Sequence, residues 1–243
     1  MLYLVGLGIW DEGDISLKGL EACKKARKVY AELYTSAWGG DLRKLEKLMK
    51  KRIRLLGRDG LEERSGRLVR QAKTSNIAVL VPGDPLSATT HSSLMDEAMK
   101  AKVKVEVIHS SSVFTSIAET GLSLYNFGKT VTVVAPNRRY KPESFYRVIK
   151  DNLDKGMHTL VLLDIKMSVQ QGLTVLMDIE RKQQKKVLSP SREIVIASAI
   201  GSPKKVIRFG RVTELAEEDF PPPAVLIIPG KLNFFEREFL EKF

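Results

Sequence analysis

Cysteine and long apolar runs are the features that this chain of 243 residues most clearly lacks. Cys23 is the only cysteine, which excludes an intrachain disulfide and a cysteine-based metal cluster and fits a reducing compartment. The apolar runs are too short to span a bilayer, and no signal peptide is visible. We therefore expect a cytoplasmic protein with no membrane partner.

The motifs of several enzyme classes are missing as well. The chain contains no G-x-S-x-G elbow of a hydrolase, no H-E-x-x-H zinc motif and no Walker phosphate loop. Gly6 and Gly8 do not make a dinucleotide fingerprint, because its third glycine would fall at Asp11. The three histidines are scattered singly, so we expect no metal site.

Positive charge is what the chain has in excess. Lysine and arginine total 40 against 29 acidic residues, and this net charge of +11 favours nucleic acid, a ribosome-associated factor or an acidic protein as partner. Much of the charge lies at residues 24–28 and 43–52, where solvated helix surface is the plain explanation. The excess therefore indicates the charge of a partner without choosing its class.

The chain is best understood as organised around residues 77–91, IAVLVPGDPLSATTH. Residues 77–81 carry no polar side chain, which predicts a strand buried on both faces, as in a parallel sheet. The PGDP that follows forces a sharp turn and is expected to leave the carboxylate of Asp84 exposed at the strand's carboxyl end, where open α/β sheets bind ligands. Residues 109–112 (HSSS) follow another predicted strand, so the two loops together predict a polar pocket.

Strands alternate with helices along the chain, which predicts an α/β fold with right-handed crossovers. From residue 130 the pattern changes. We predict two small α/β domains with a ligand cleft between them: residues 1–112 with a parallel sheet and residues 113–243 with a mixed sheet. The predicted helices include residues 61–72, 113–124 and 174–186.

Methyl transfer from S-adenosylmethionine (SAM) suits such loops. The sulfonium of SAM already supplies an activated electrophile, so the enzyme chiefly has to hold the reactants in line. Hydroxyls, carbonyls and a carboxylate also suit a cofactor that carries an ammonium, a carboxylate and a sulfonium. The residues are compatible with this chemistry and do not force it.

A series of segments resembles the diphthine synthase family, in order along nearly the whole chain. They are LYLVGLGI (2–9), DISLKGL (14–20), YAELYTS (30–36), PGDPLSATTH (82–91), VIH (107–109), ETGL (119–122), FGK (127–129), HTLVLLDIK (158–166) and PGKL (229–232). The resemblance implies the tetrapyrrole methylase fold, in which two α/β domains bind SAM in their cleft, usually as a homodimer.

The resemblance also implies a reaction and a partner. Diphthine synthases methylate the amino group of a modified histidine on translation elongation factor 2, a step towards diphthamide. The short basic chain resembles the archaeal enzymes of this family, which are expected to add three methyl groups. Transfer runs directly from the sulfonium to a neutral amine, so we name no catalytic acid or base, and nucleic acid is not required.

Carried over position by position, the resemblance implies cofactor contacts from both halves of the chain. The expected positions are Ile9, Asp84, Ser87, Ser112, Val113, Leu163, Ala197 and Ala224. The apolar members would act largely through backbone groups and shape. Without the resemblance, core packing would be the preferred interpretation of the last three.

The second half departs from the family pattern at several positions. The arginine of the family's L-A-R-A-G-S is Ala199, a histidine after the paired prolines is Ala224, and the histidine of P-G-K-L-H is Asn233. The family's R-Y-M segment is missing near residues 171–173. These changes bear on the contacts to adenine and to the protein substrate, and on the number of methyl groups added.

Two other interpretations stay open at the level of the sequence. A related tetrapyrrole methylase could act on a corrin precursor or on ribosomal RNA, which the positive charge would suit. A non-catalytic basic module could dock on ribosomal RNA or on the elongation factor without binding SAM. Residues 138–141 (RRYK) are a candidate contact to the substrate.

Overall fold

The structure is a computed structural model that describes residues 1–63, 65–137 and 140–243. By its internal contacts the chain divides into two compact units, Met1–Ser116 and Ile117–Phe243. The short helix Val113–Ser116 falls in the first unit, beyond the predicted domain limit at residue 112. Two residues of the predicted basic contact, 138 and 139, lie outside the described residues.

The first unit is built on a parallel sheet with the strand order β3-β2-β4-β1-β5. Its strands are β1 Leu2–Gly6, β2 Lys28–Glu32, β3 Ile53–Leu56, β4 Ile77–Val81 and β5 Val105–Ile108. Its helices are α1 Leu17–Lys25, α2 Leu42–Met49, α3 Gly66–Thr74, α4 Ser92–Lys100 and α5 Val113–Ser116. Strand β4 lies at the centre and is buried throughout, as its lack of polar side chains predicts.

Two apolar cores cover the faces of this sheet, because alternate residues of a strand point to opposite sides. Val5 and Leu80 belong to the core that contains buried residues of α1 and α2. Leu4 and Val79 belong to the core that contains buried residues of α3 and α4. Burial on both sides is the reason that β4 is a continuous apolar run without alternation.

The second unit is built on a mixed sheet with the strand order β6-β7-β10-β8-β9. Its strands are β6 Val131–Val133, β7 Thr159–Leu163, β8 Glu193–Ser198, β9 Val206–Arg211 and β10 Ala224–Ile228. Its helices are α6 Ser144–Asp154, α7 Val169–Gln183, α8 Val212–Leu215 and α9 Phe234–Leu240. Strands β6 and β7 pair in parallel, and the other neighbouring strands pair antiparallel. None of the described helices has the length and apolarity that a bilayer span needs.

Two of the predicted helices are shorter than the sequence indicates. The helix expected at residues 61–72 begins at Gly66, because the chain before it forms a single π-helical turn. The helix expected at residues 113–124 ends as an α-helix at Ser116 and continues as short 3-10 turns. Gly121 interrupts it with a φ of +80°, a left-handed conformation that does not continue a helix.

A third predicted helix was wrong in its position. Residues 174–186 were expected to be helical, but the helix is α7, which starts five residues earlier at Val169. The hydroxyl of Ser168 accepts a hydrogen bond from the N–H of Gln171, whose side chain accepts one from the N–H of Ser168. This reciprocal capping box satisfies two backbone donors and fixes the start of the helix.

A buried carboxylate holds α9 against the rest of the second unit. Glu236 is 2% exposed. Its donors are the N–H groups of Ser123 and Asn233, the side-chain amide of Asn126 and Nε2 of His158, at 3.0–3.2 Å. Burial by itself raises the pKa of Glu236, but these hydrogen bonds outweigh it, and the pKa lies below its ordinary value. The carboxylate therefore stays ionised and joins three separate parts of the chain.

We expect Glu236→Gln to lower the free energy of unfolding by about 1–3 kcal/mol at neutral pH, since an amide presents N–H groups to donors that need an acceptor. Because the pKa of Glu236 is lower in the folded than in the unfolded state, its stabilisation is complete above the unfolded pKa. It is lost as the pH falls through the folded pKa. Urea unfolding across acidic and neutral pH measures both effects.

The exposed Glu238 on the same helix supplies the matched control. Glu238→Gln removes an equal charge without removing a buried acceptor, so its stability should stay close to that of the wild type. Equal losses in the two variants would contradict the role of the Glu236 carboxylate.

Candidate functional site

The carboxyl ends of β1, β4 and β5 carry the loops in which the sequence predicts a pocket. Strand β1 pairs in parallel with both neighbours, so the three strands end at one edge of the sheet. Beyond this edge the N–H of Gly83 donates to the carbonyl oxygen of Gly8 at 2.8 Å, and the N–H of Gly8 donates back to Gly83 at 3.2 Å. This pair of hydrogen bonds joins the loops that follow β1 and β4.

Glycine is required at these positions by conformation and by space. Gly8 has a φ of +81°, and a Cβ there would lie 2.3 Å from the Cβ of Asp14. A Cβ on Gly6 would lie 2.6 Å from the carbonyl oxygen of Gly83 and 2.6 Å from the Cβ of Ser110. By contrast, a Cβ on Gly83 would meet no heavy atom closer than 3.9 Å. The loops are therefore packed tightly at β1. At Gly83 a Cβ would make only ordinary contacts, and the φ of +69° is what favours glycine.

Asp84 is the ionisable group that links these loops. It is 6% exposed, so the expectation of an exposed carboxylate was wrong, because donors from two loops enclose it. Its Oδ1 accepts hydrogen bonds from the N–H of Leu86 at 2.9 Å and the hydroxyl of Ser87 at 3.2 Å. Its Oδ2 accepts from Nδ1 of His109 at 2.7 Å and the N–H of Ser110 at 3.2 Å. Burial by itself raises the pKa of Asp84, but the bonds from Leu86, His109 and Ser110 outweigh it and bring the pKa below its ordinary value.

These contacts give Asp84 a positioning role. An ionised carboxylate offers about four lone-pair sites, and the protein itself fills them with donors from two loops. The carboxylate therefore fixes the turn after β4 and ties it to the start of the loop after β5. A ligand at this edge would meet a loop that Asp84 has shaped.

The other predicted residues of the first unit lie in the same three loops. Ile9 follows the Gly8–Gly83 pair and is half-buried, as are Ser87 and Val113. Ser112 is buried. Its carbonyl oxygen accepts a hydrogen bond from the hydroxyl of Thr115 at 3.0 Å, in the first turn of α5. The structure thus brings the five predicted residues of this unit to one edge of one sheet.

The remaining predicted residues, Leu163, Ala197 and Ala224, lie in the second unit. Val225 pairs with Leu162 on one side and with Ala197 on the other. This pairing places the predicted residues Leu163, Ala197 and Ala224 at the same end of the sheet. Leu163 is half-buried above Gly172, where a Cβ would lie 2.5 Å from its Cδ2. Ala197 is buried and Ala224 is half-buried.

The sequence analysis missed two connections near the carboxyl edge of the sheet in the first unit. The Oδ2 of Asp14 accepts from the N–H of Trp10 at 2.7 Å, and its carbonyl oxygen accepts from the hydroxyl of Ser110 at 3.4 Å. Nε2 of His91 lies 3.5 Å from Oε1 of Glu32, and both side chains are buried. An acidic residue at the end of an apolar strand, or in the loop that follows it, is the sequence signal that could have indicated both connections.

Comparisons with known proteins identify the chemistry of this fold. The family profile Tetrapyrrole (Corrin/Porphyrin) Methylases matches residues 1–216. The diphthine synthases of Methanocaldococcus jannaschii and Methanococcus vannielii are each 40% identical to this chain, over 99% of it and 98% of their own length. A crystal structure of diphthine synthase matches with a TM-score of 0.90 and 37% identity, over 100% of this chain and 95% of that one.

This chain belongs to the diphthine synthase family of tetrapyrrole methylases. The resemblance and the α/β fold predicted from the sequence are thereby confirmed. Members of this family are SAM-dependent methyltransferases, and this chain is one of them.

The loops of the first unit carry groups that suit SAM in polarity. Several of their side chains are small, as at Gly83, Ser87 and Ser112, and glycine lets a ligand approach the backbone closely. Hydroxyls and backbone groups suit the polar end of the cofactor. The residues present are therefore compatible with the cofactor of the diphthine synthase family.

Two departures from the diphthine synthase pattern have structural roles in this chain. Ala199 is buried with a φ of +47°, and its N–H donates to the carbonyl oxygen of Pro223 at 2.7 Å. Asn233 caps α9, since its side chain accepts from the N–H of Glu236 at 2.9 Å. Asparagine is among the best residues at this position of a helix, so the change from histidine keeps the start of α9 well capped.

We expect Asp84→Asn to weaken SAM binding by about tenfold or more, because an amide would face donors with its own N–H groups and release one loop from the other. Isothermal titration calorimetry measures this affinity directly. Asp96→Asn, on the exposed side of α4 in the same unit, is the control and should bind SAM like the wild type. Wild-type affinity in Asp84→Asn would rule out the positioning role.

Proposed function

We propose that this chain methylates the amino group of the modified histidine of translation elongation factor 2, in diphthamide biosynthesis. The observation that carries the proposal is the agreement with diphthine synthases at 40–41% identity over 99% of the chain. That agreement extends through both units, so no large segment is left over for a different activity.

The proposed cofactor is SAM, which supplies a methyl group already activated by its sulfonium. We assign its contacts to Ile9, Asp84, Ser87, Ser112, Val113, Leu163, Ala197 and Ala224. Asp84 acts by holding the loops after β4 and β5 in place. The half-buried Ile9 and Val113 contribute shape and backbone groups, and the small Ala197 and Ala224 leave space for a flat aromatic ring.

The acceptor amine reacts as the free base. SAM held by these residues would supply the methyl group to that amine, and the proton of the methylated amine would leave to solvent. The chain's task is to align the reacting atoms, which alone can account for about 7–11 kcal/mol of a barrier. The saturated carboxylate of Asp84 supports this assignment, because it has no free lone pair with which to act as a base.

The remaining parts of the proposal concern the setting of the reaction. We propose a homodimer in the cytoplasm with elongation factor 2 as the protein partner, and no requirement for nucleic acid. Relatives from Methanocaldococcus and Methanococcus support an enzyme of archaeal type. A corrin precursor or ribosomal RNA is the second candidate acceptor. The broader family profile favours it, and the net charge of +11 would suit RNA.

Intact-mass spectrometry tests the proposal. Elongation factor 2 that carries the unmethylated aminocarboxypropyl-histidine is incubated with the protein and SAM, and its mass should rise in steps of one methyl group. The Asp84→Asn variant should slow these steps at limiting SAM, and the Asp96→Asn variant should not. An unchanged mass despite measurable SAM binding would refute elongation factor 2 as the acceptor.

A further inference from the structure

A basic groove lies beside the carboxyl-terminal end of α2, in the first unit. It has a volume of about 430 Å³. Its lining residues are Arg43, Glu46, Lys47, Lys50, Lys51 and Arg52. Every one of these side chains is charged and only one is acidic, so the groove attracts anions.

Two of the five cations are already engaged by the protein. Nζ of Lys51 donates to the carbonyl oxygen of Ala26 at 3.0 Å. Nη1 of Arg52 lies 3.2 Å from Oε2 of Glu46. The other oxygen of Glu46 accepts from the N–H of Ile53 at 2.8 Å, so this carboxylate is committed to joining α2 to β3.

The other three cations, Arg43, Lys47 and Lys50, are uncompensated. Within the described residues, their side chains make no ion pair or hydrogen bond. They recur at intervals of four and three residues, which places them along one side of α2 and its end. Lys50 takes a φ of 55°, a left-handed conformation in which glycine or asparagine is the usual residue. The third cation therefore occupies a position where glycine or asparagine would be less strained.

We propose that this groove docks an acidic segment of the protein that carries the acceptor histidine, an inference that rests on the proposed function. Arg43 and Lys50 are separated by two helical turns, a distance of about 10 Å. An extended peptide of roughly three or four residues spans that distance. Carboxylates on such a segment can therefore meet all three cations at once.

RNA matches the groove less well than an acidic peptide does. Three uncompensated cations would release about three counterions from a nucleic acid backbone, fewer than a protein that makes roughly 6–10 phosphate contacts. No aromatic side chain lines it, so bases would have no surface on which to stack. The observations favour a protein segment.

Docking of this kind acts on association and leaves the chemical step alone. Charges at the rim of an interface mainly change the rate of encounter and its dependence on salt. Loss of the groove should therefore raise the KM for the protein substrate, with little change in kcat or in SAM affinity.

The test compares two triple variants with the wild type. The groove variant carries Arg43→Glu, Lys47→Glu and Lys50→Glu. The control carries Lys182→Glu, Lys185→Glu and Lys204→Glu, which are exposed cations of the second unit and lower the net charge by the same amount. At low salt, the KM for elongation factor 2 should rise about tenfold or more in the groove variant, whereas the control should stay within about twofold.

A direct binding measurement separates this proposal from the proposed function. Fluorescence anisotropy follows a labelled oligoglutamate peptide and a labelled single-stranded RNA on the same three proteins. The peptide should bind the wild type and the control, and its affinity should drop in the groove variant, even if elongation factor 2 proves not to be methylated. Equal peptide binding by all three proteins would overturn the proposal, as would RNA that binds the groove more tightly than the peptide.

A neutral variant keeps the test valid if charge reversal unfolds α2. Arg43→Gln, Lys47→Gln and Lys50→Gln remove the charges and retain long side chains that favour a helix. In this variant, KM and peptide affinity should change in the same direction as in the groove variant, but by a smaller factor. Wild-type values would again overturn the proposal.

Discussion

The ionised carboxylate of Asp84 is the constraint on which the site in the first unit depends. A buried carboxylate is costly unless donors surround it, and here the donors come from two loops that lie 25 residues apart in the chain. The loop after β4 and the loop after β5 therefore cannot move independently without leaving a charge unpaired. The Gly8–Gly83 hydrogen bonds add the loop after β1 to the same assembly.

The second unit also contains a buried carboxylate that is surrounded by hydrogen-bond donors, but the consequence is different. Glu236 is also buried and ionised, and its donors again come from segments far apart in sequence. Around Glu236 the consequence is stability, because a terminal helix is fixed to the sheet. Around Asp84 the consequence is that the loops after β4 and β5 are held together at the carboxyl edge of the sheet. The surroundings of each carboxylate therefore determine whether it fixes a helix or positions loops.

Local pattern predicted the elements well and their contacts poorly. The apolar run of β4 and the turn at Pro82 indicated a central strand with an exposed carboxylate at its end. The strand is found, but Asp84 is buried among its donors. The helix expected over residues 113–124 ends at Ser116, and Gly121 packs against the ring of Phe239, which is 118 residues away and is not visible in local pattern. The Asp84–His109 pair depends on β1 lying between β4 and β5, and a single sequence does not give the order of strands. Ala197 and Ala224 carry no chemical signal, so only the family resemblance indicated them.

Hydrogen exchange of the wild-type protein with and without SAM tests most directly whether these loops form the cofactor site. The account predicts slower exchange on binding at residues 8–14, 83–88 and 109–113 of the first unit, and at residues 163–165, 197–199 and 223–225 of the second. Exchange in the basic groove of α2 should not change. Protection confined to the groove, or absent from the loops that Asp84 connects, would contradict it.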